Sequence, residues 1–209
     1  MNNTSLSALN GTLDAPVRIL GIGGSVREHS NTASVLDVVL RMAATAGAET
    51  RVRTVRELDL PMYNEDIPLE DQPATLHQLL EDMQWADGFI VGSPTYHGSV
   101  PGALKNVFDA LHIRRGADRT NFSGRPVGVF AFGGPSGQNV INALHHTIRG
   151  MGGLQVPTVA VVAKDSLDPA FTRIINQPIA TRIDAMISDV IHQARMQRIS
   201  RELQLAQRP

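Results

Sequence analysis

The chain has 209 residues, enough for one well-filled α/β domain, and at 42% hydrophobic and 19% charged it can bury a sizeable core. Its formal net charge of -1 gives no global attraction for nucleic acid or an acidic membrane. Having no cysteine, it cannot use a thiolate nucleophile, a disulfide or a cysteine-ligated metal.

Residues 1–15 read as a flexible polar tail. The opening stretch MNNTSLSALNGTLDAP has no basic region followed by an apolar run, so it is not an export signal. The glycosylation-type triplets at Asn2 and Asn10 are then chance matches. No stretch approaches the roughly 20 apolar residues of a membrane helix, and a soluble cytoplasmic protein is expected. Residues 16–209 are expected to form a single domain.

Apolar runs mark the strands. VRILGIGG (17–24), GFIVGS (88–93), PVGVFAFGG (126–134) and LQVPTVAVVA (154–163) suit strands buried on both faces of a parallel sheet. ETRVRTV (49–55) alternates polar with apolar residues and suits an edge strand. Helical patterns fill the gaps: 31–47, ending at a Gly47 cap, then 73–86, 100–112, 137–152 and a long segment from about 169 to 205. Strict alternation of strand and helix predicts a flavodoxin-like doubly wound α/β fold with a five-stranded parallel sheet in the order 2-1-3-4-5. That order brings the loops after strands 1, 3 and 4 together at the carboxyl edge.

The first of these loops, GIGGSVREHSNTAS (21–34), combines flexible glycines with donors from Ser25, Arg27, Ser30, Asn31 and Thr32 at a predicted helix start. Such a set can wrap a terminal phosphate. The dinucleotide fingerprint G-x-G-x-x-G fails at Val26, and no Lys-Ser/Thr pair closes a Walker loop. A strand-to-helix turn with an ordinary cap is the alternative. The loop after strand 3 carries Pro94, Thr95, Tyr96, His97, Gly98 and Ser99, which can supply in-plane hydrogen bonds and a stacking face to a flat heteroaromatic ring. Taken singly, Tyr96 also suits core packing and His97 a solvated loop. The loop after strand 4 holds Gly133, Gly134, Ser136 and Gly137, whose backbone N–H groups are expected to face the polar edge of that ring.

The stretch Gly92–Leu111 resembles the NAD(P)H-dependent FMN reductase family, which carries a similar P-x-Y-x-G-S-x-P-G-x-L-K-N-x-x-D segment. The turn G-G-S-x-R-x-x-S-N-T is similar to the phosphate loop of that family, and PMYNEDIP (61–68) to another of its recurring stretches. The resemblance runs from about residue 17 to 165. It implies FMN as cofactor, NADPH or NADH as hydride donor, phosphate contacts from Ser25, Arg27, Ser30, Asn31 and Thr32, and ring contacts from Pro94 to Ser99. It also implies a small-molecule acceptor or a flavin-dependent monooxygenase as recipient of the electrons, and a homodimer or homotetramer. A tightly FMN-bound quinone or azo reductase is the alternative within the class. A flavin-binding electron-transfer module is the alternative outside it.

Arg114, Arg115 and Arg119 offer a reading as a 2′-phosphate site, against that of a solvated basic loop. The seven histidines show no metal spacing. The segment from Ile187 to Gln207 reads as a mildly basic helical extension, suited to covering the sheet or extending an interface.

Overall fold

A computed structural model describes residues 15–114 and 121–206. Strand β1 (Arg18–Gly23) leads into α1 (Asn31–Thr45), and β2 (Glu49–Thr54) into the single turn α2 (Val55–Leu58). There follow α3 (Ala74–Trp85), β3 (Gly88–Pro94), α4 (Gly102–Ala110), β4 (Pro126–Phe132), α5 (Gly137–Gly150), β5 (Leu154–Val162) and α6 (Gln177–Ala206). The strands form one parallel sheet in the order β2-β1-β3-β4-β5, the flavodoxin-like arrangement that the alternation predicts.

The two faces of the sheet are covered by different helices. Leu20, Ile22, Phe89, Val91, Val127 and Val129 meet the apolar sides of α3, α4 and α5. Ile19, Ile90, Phe130, Val156 and Ala160 meet α1 and α6 on the opposite face. The inner strands β1, β3 and β4 bury alternate residues against alternate layers, because side chains switch faces with a period of two. Small residues set the helix-to-sheet distance: a Cβ at Gly88 or Gly128 would stand 2.9 Å from Val190 or Met186 of α6.

Two expectations need correction. The run 154–163 does not make a strand buried on both faces, because β5 closes the sheet and its first residue, Leu154, is exposed. The last helix does not start near 169. The Asp168 carboxylate accepts hydrogen bonds from Thr172 N (2.7 Å) and Arg173 N (2.8 Å), and from the Thr172 hydroxyl (2.8 Å). These side-chain bonds capture N–H groups that a helix would need, and Leu167 and Ile174 bridge instead. The helix starts at Gln177, where the Asn176 side chain accepts from Ile179 N at 3.2 Å. It then runs without a break through 187 to Ala206, with Ile183, Met186, Ile187, Val190, Ile191 and Ala194 buried against the sheet.

At the amino edge of the sheet the buried carboxylate of Asp87 joins three segments. It accepts from Arg18 N (3.1 Å) and Arg18 Nε (3.2 Å), and from Arg198 Nη2 (2.5 Å) at the far end of α6. Arg198 also donates to the carbonyls of Ala15 and Pro16, both at 3.0 Å.

Candidate functional site

The strand register fixes where the carboxyl-edge loops meet. Gly23 pairs with Gly92, Pro94 with Phe132 and Phe132 with Val162, so β1, β3, β4 and β5 release their chains at one level. The loops after β1, β3 and β4 enclose a cavity of about 220 Å³ lined by Ser25, Arg27, Ser30, Asn31, Thr32, Pro94, Thr95, Tyr96, Phe132 and Gly133. Nine of these ten residues are among those singled out in the sequence; Phe132 is the addition.

The phosphate-loop residues surround the start of α1. Ser30 is its N-cap: its hydroxyl accepts from Ala33 N at 3.3 Å and lies 3.2 Å from the Ser25 hydroxyl. Ser25, Ser30 and Thr32 are buried, while Arg27 is exposed and its guanidinium has no partner among the described residues. The N–H groups of Asn31 and Thr32, in the first turn, have no acceptor within the helix. Arg56 of α2 steadies the tip of the loop by donating to the Val26 carbonyl at 2.9 Å. The wall therefore offers hydroxyls, free amide N–H groups and one guanidinium, with no carboxylate among its residues.

Beyond Thr95 the chain makes a tight reversal. Tyr96 and Ser99 exchange backbone hydrogen bonds of 3.0 and 2.9 Å, with φ of 51° at His97 and 76° at Gly98. Two consecutive positive φ values define a type I′ turn, which glycine enters freely and histidine only at a cost. The turn leaves Tyr96 exposed at the mouth of the cavity. His97, Gly98 and Ser99 do not line the cavity; they carry Tyr96 there.

The loop after β4 differs from expectation. Gly133 N is bonded to Val162 O (3.0 Å) and Gly137 N to Gly134 O (2.9 Å), which leaves the N–H of Gly134 without a backbone acceptor among the described residues. Gly133 is needed for space, since a Cβ there would stand 2.6 Å from Thr95 Oγ1. Gly137 is buried against Val161, and neither it nor Ser136 lines the cavity.

A larger cavity of about 780 Å³ shares the wall of Phe132 and Gly133 and extends under the loop after β5, between Phe132, Leu167 and Phe171. The helical pattern from 169 conceals this loop in the sequence. The Asp-Pro pair at 168–169, a turn former, is the feature that marks it. Asn106 was also missed. Its side chain accepts from Tyr63 N (2.8 Å) and donates to Pro61 O (2.8 Å), tying the PMYN segment to α4 beside the site. Burial, and then the charges of Glu65 and Asp109, push the Tyr63 phenol up, so it stays protonated.

Arg115 and Arg119 lie outside the described residues, as does the Arg114 side chain. Among the described residues no group of three or more acidic or histidine side chains is placed to hold a metal ion. No helix among them is long and apolar enough to cross a membrane.

A flavodoxin-like sheet with a donor-rich cradle at its carboxyl edge defines a class of mononucleotide-binding α/β proteins. Residues 17–167 match the NADPH-dependent FMN reductase family, and the chain belongs to it. It is 30% identical over 150 residues to the NADPH-dependent FMN reductase ArsH of Shigella flexneri, covering 71% of this chain and 57% of that protein. It is 33% identical over 106 residues to a quinone reductase of Pseudomonas putida, covering 51% of this chain and 54% of the relative. The match thus spans little more than half the length of these curated relatives. Among solved structures it is similar to FerB, a flavoenzyme NAD(P)H:(acceptor) oxidoreductase of Paracoccus denitrificans. The TM-score is 0.71 at 18% identity, with 85% of this chain and 97% of that one covered, a likeness of fold.

Proposed function

We propose that the protein is an NAD(P)H-dependent FMN reductase, with residues 16–209 acting as one FMN-binding domain. The observation that carries this reading is the convergence of three loops on one cavity whose wall holds buried hydroxyls, amide N–H groups and a guanidinium but no carboxylate. That donor set fits a dianionic phosphate. Ser25, Ser30, Asn31 and Thr32 bind the phosphate and Arg27 closes over it. Pro94, Thr95 and Tyr96 hold the ring, and the turn through His97, Gly98 and Ser99 fixes the Tyr96 backbone. Gly133 leaves room for the flavin, Gly134 N–H faces its polar edge, and Ser136 and Gly137 shape the turn behind. Bound FMN supplies hydride acceptance from NADPH or NADH and its return to an acceptor. The protein contributes orientation and exclusion of water, and needs no acid or base for the first half-reaction.

A second reading, a tightly FMN-bound quinone or azo reductase, is favoured by the 780 Å³ cavity walled by Phe132, Leu167 and Phe171 beside the cradle. The rate at which FMN leaves separates it from a reductase that releases reduced flavin to a flavin-dependent monooxygenase. The protein is read as cytoplasmic and as a homodimer or homotetramer. In an anaerobic titration of the FMN-supplemented protein, NADPH or NADH should bleach the flavin absorbance within a turnover. FMN binding without bleaching by either nucleotide would overturn the enzyme and leave a flavin-binding electron-transfer module.

A further inference from the structure

Between β5 and α6 the chain forms a strap with an internal frame. Leu167 and Ile174 bridge, Ile175 N donates to Ser166 O at 2.8 Å, and the Asp168 carboxylate gathers the N–H groups of Thr172 and Arg173. Arg41 of α1 holds the strap from outside by donating to Thr172 O at 2.9 Å. The frame fixes Phe171 at a φ of 56°, in the left-handed region that a bulky aromatic residue enters only at a cost. Glycine or asparagine would adopt this backbone more readily, so the turn itself does not call for an aromatic ring. Strain of this kind gathers where a side chain is held for a ligand. The half-buried Phe171 ring lies 6.4 Å from the half-buried Phe132 ring, tilted by 57°, and both line the 780 Å³ cavity.

Three charged side chains complete the wall, and they differ in what they already hold. Asp168 is occupied by Thr172 and Arg173, whereas Lys164 and Asp165 are exposed and form no side-chain hydrogen bond or ion pair among the described residues. The cavity therefore presents an aromatic surface, one free ammonium and one free carboxylate. It adjoins the flavin cradle, because Phe132 and Gly133 line both. An adenosine phosphate carries the complement of each feature: a flat purine for the rings, ribose hydroxyls that donate to a carboxylate, and a phosphate for the ammonium. A quinone or azo compound would use the rings and leave both charges idle. The volume falls within the range of about 300–1,000 Å³ for sites that enclose drug-sized ligands, and a nucleotide is of that size.

We propose that this cavity receives the adenosine end of the hydride donor, with the purine against Phe171 and Phe132, a ribose hydroxyl on Asp165 and a phosphate on Lys164. The inference rests on the reductase reading and extends it, by giving a place to the half of the dinucleotide that does not react. The phosphate is either the 2′-phosphate that distinguishes NADPH or the diphosphate that both donors share. Phe171 is then a specificity-determining residue, and the frame around Asp168 is what positions it. Because FMN is reduced before an acceptor is, the nucleotide and an acceptor use this space in turn.

Calorimetric titration of the full chain, saturated with FMN, with adenosine 2′,5′-bisphosphate and with ADP reads the site without turnover, since neither nucleotide carries a nicotinamide. Saturable binding is expected, and it should weaken about tenfold in Phe171→Ala and in Lys164→Met, as loss of a stacking surface or of a charge-assisted bond implies. Weakening of the bisphosphate alone in Lys164→Met places Lys164 at the 2′-phosphate and predicts a preference for NADPH. Weakening of ADP, alone or as well, places it at the diphosphate. Binding of both nucleotides that either folded variant leaves unchanged overturns the proposal; if circular dichroism shows Phe171→Ala unfolded, Lys164→Met decides by itself. Absence of binding by both nucleotides, while NADPH or NADH still bleaches the flavin, overturns the proposal and leaves the reductase standing. Absence of binding and of bleaching removes the reductase reading and the proposal with it.

Discussion

At the carboxyl edge of the sheet, Ser25, Ser30 and Thr32 are buried around the start of α1, while the Arg27 guanidinium beside them has no partner among the described residues. At the amino edge, Asp87 is buried as deeply, yet its oxygens are held by Arg18 and by Arg198, and Arg198 also donates to the carbonyls of Ala15 and Pro16. Polar groups at strand ends thus serve two purposes in one molecule. Donors left over by the protein are free for a ligand, whereas donors consumed by the protein join segments far apart in sequence. Burial does not separate the two cases. What does is whether the partner is already present, because a buried polar group lacking one is costly.

The most severe way to break this comparison is at Asp87. Asp87→Ala leaves Arg18 and Arg198 without their shared carboxylate and should lower unfolding stability in urea by about 3–5 kcal/mol, the range for removing one partner of a buried pair. FMN affinity of the folded fraction should stay unchanged, since the cradle is at the other end of the strands; a matching loss of FMN binding would show that the edges are coupled. Burial pushes the Asp87 carboxyl up, but hydrogen bonds from Arg18 and then Arg198 outweigh this and hold it below its ordinary range. A lowered folded value means that the stabilisation is fully present above the unfolded value of about 3.9 and is lost as pH falls through the lower folded one. The wild type should therefore lose part of its stability in that acid window, and Asp87→Ala should lack that part.

The converse expectation belongs to Arg27. Because Arg27 is exposed and its guanidinium makes no hydrogen bond or ion pair among the described residues, Arg27→Ala should leave urea stability within about 0.5 kcal/mol of wild type, as for exposed positions. FMN binding, followed by quenching of flavin fluorescence, should weaken by about 1.5–3 kcal/mol, the range for a hydrogen bond to a charged group. Unchanged affinity would remove Arg27 from the cradle and leave the phosphate to Ser25, Ser30 and the first turn of α1.

The carboxyl edge was legible in the sequence and the amino edge was not, for a physical reason. A loop proposed to receive a ligand concentrates glycine, serine and asparagine within a few residues, so it is marked locally as a candidate, as from Gly21 to Ser34. The strands declared themselves by apolar runs, and the helices by their period. Asp87, Arg18 and Arg198 are 69 and 111 positions apart along the chain, and nothing local marks them as partners. Asn106 sits in a stretch matched to the family, but its purpose emerges only when Pro61 and Tyr63 are brought beside it. Local side-chain bonding also misled: Asp168 captures the N–H groups of Thr172 and Arg173, so a helical pattern from 169 gives way to a turn.

The smallest expected effect is also the one that sharpens the account of the ring site. His97 holds φ at 51° in the type I′ turn, a conformation that costs a residue bearing a Cβ about 1 kcal/mol relative to glycine. Its imidazole does not line the cavity, whereas Tyr96, which the turn presents, does. His97→Gly should therefore raise urea stability by up to about 1 kcal/mol, less whatever the freer glycine loses in the unfolded chain. FMN affinity should change little, because the backbone bonds between Tyr96 and Ser99 remain. If affinity instead falls by about tenfold while stability rises, the imidazole itself meets the flavin. The strained φ would then be a conformation held for the ligand rather than a residue tolerated in a turn, as strain kept at a binding site requires.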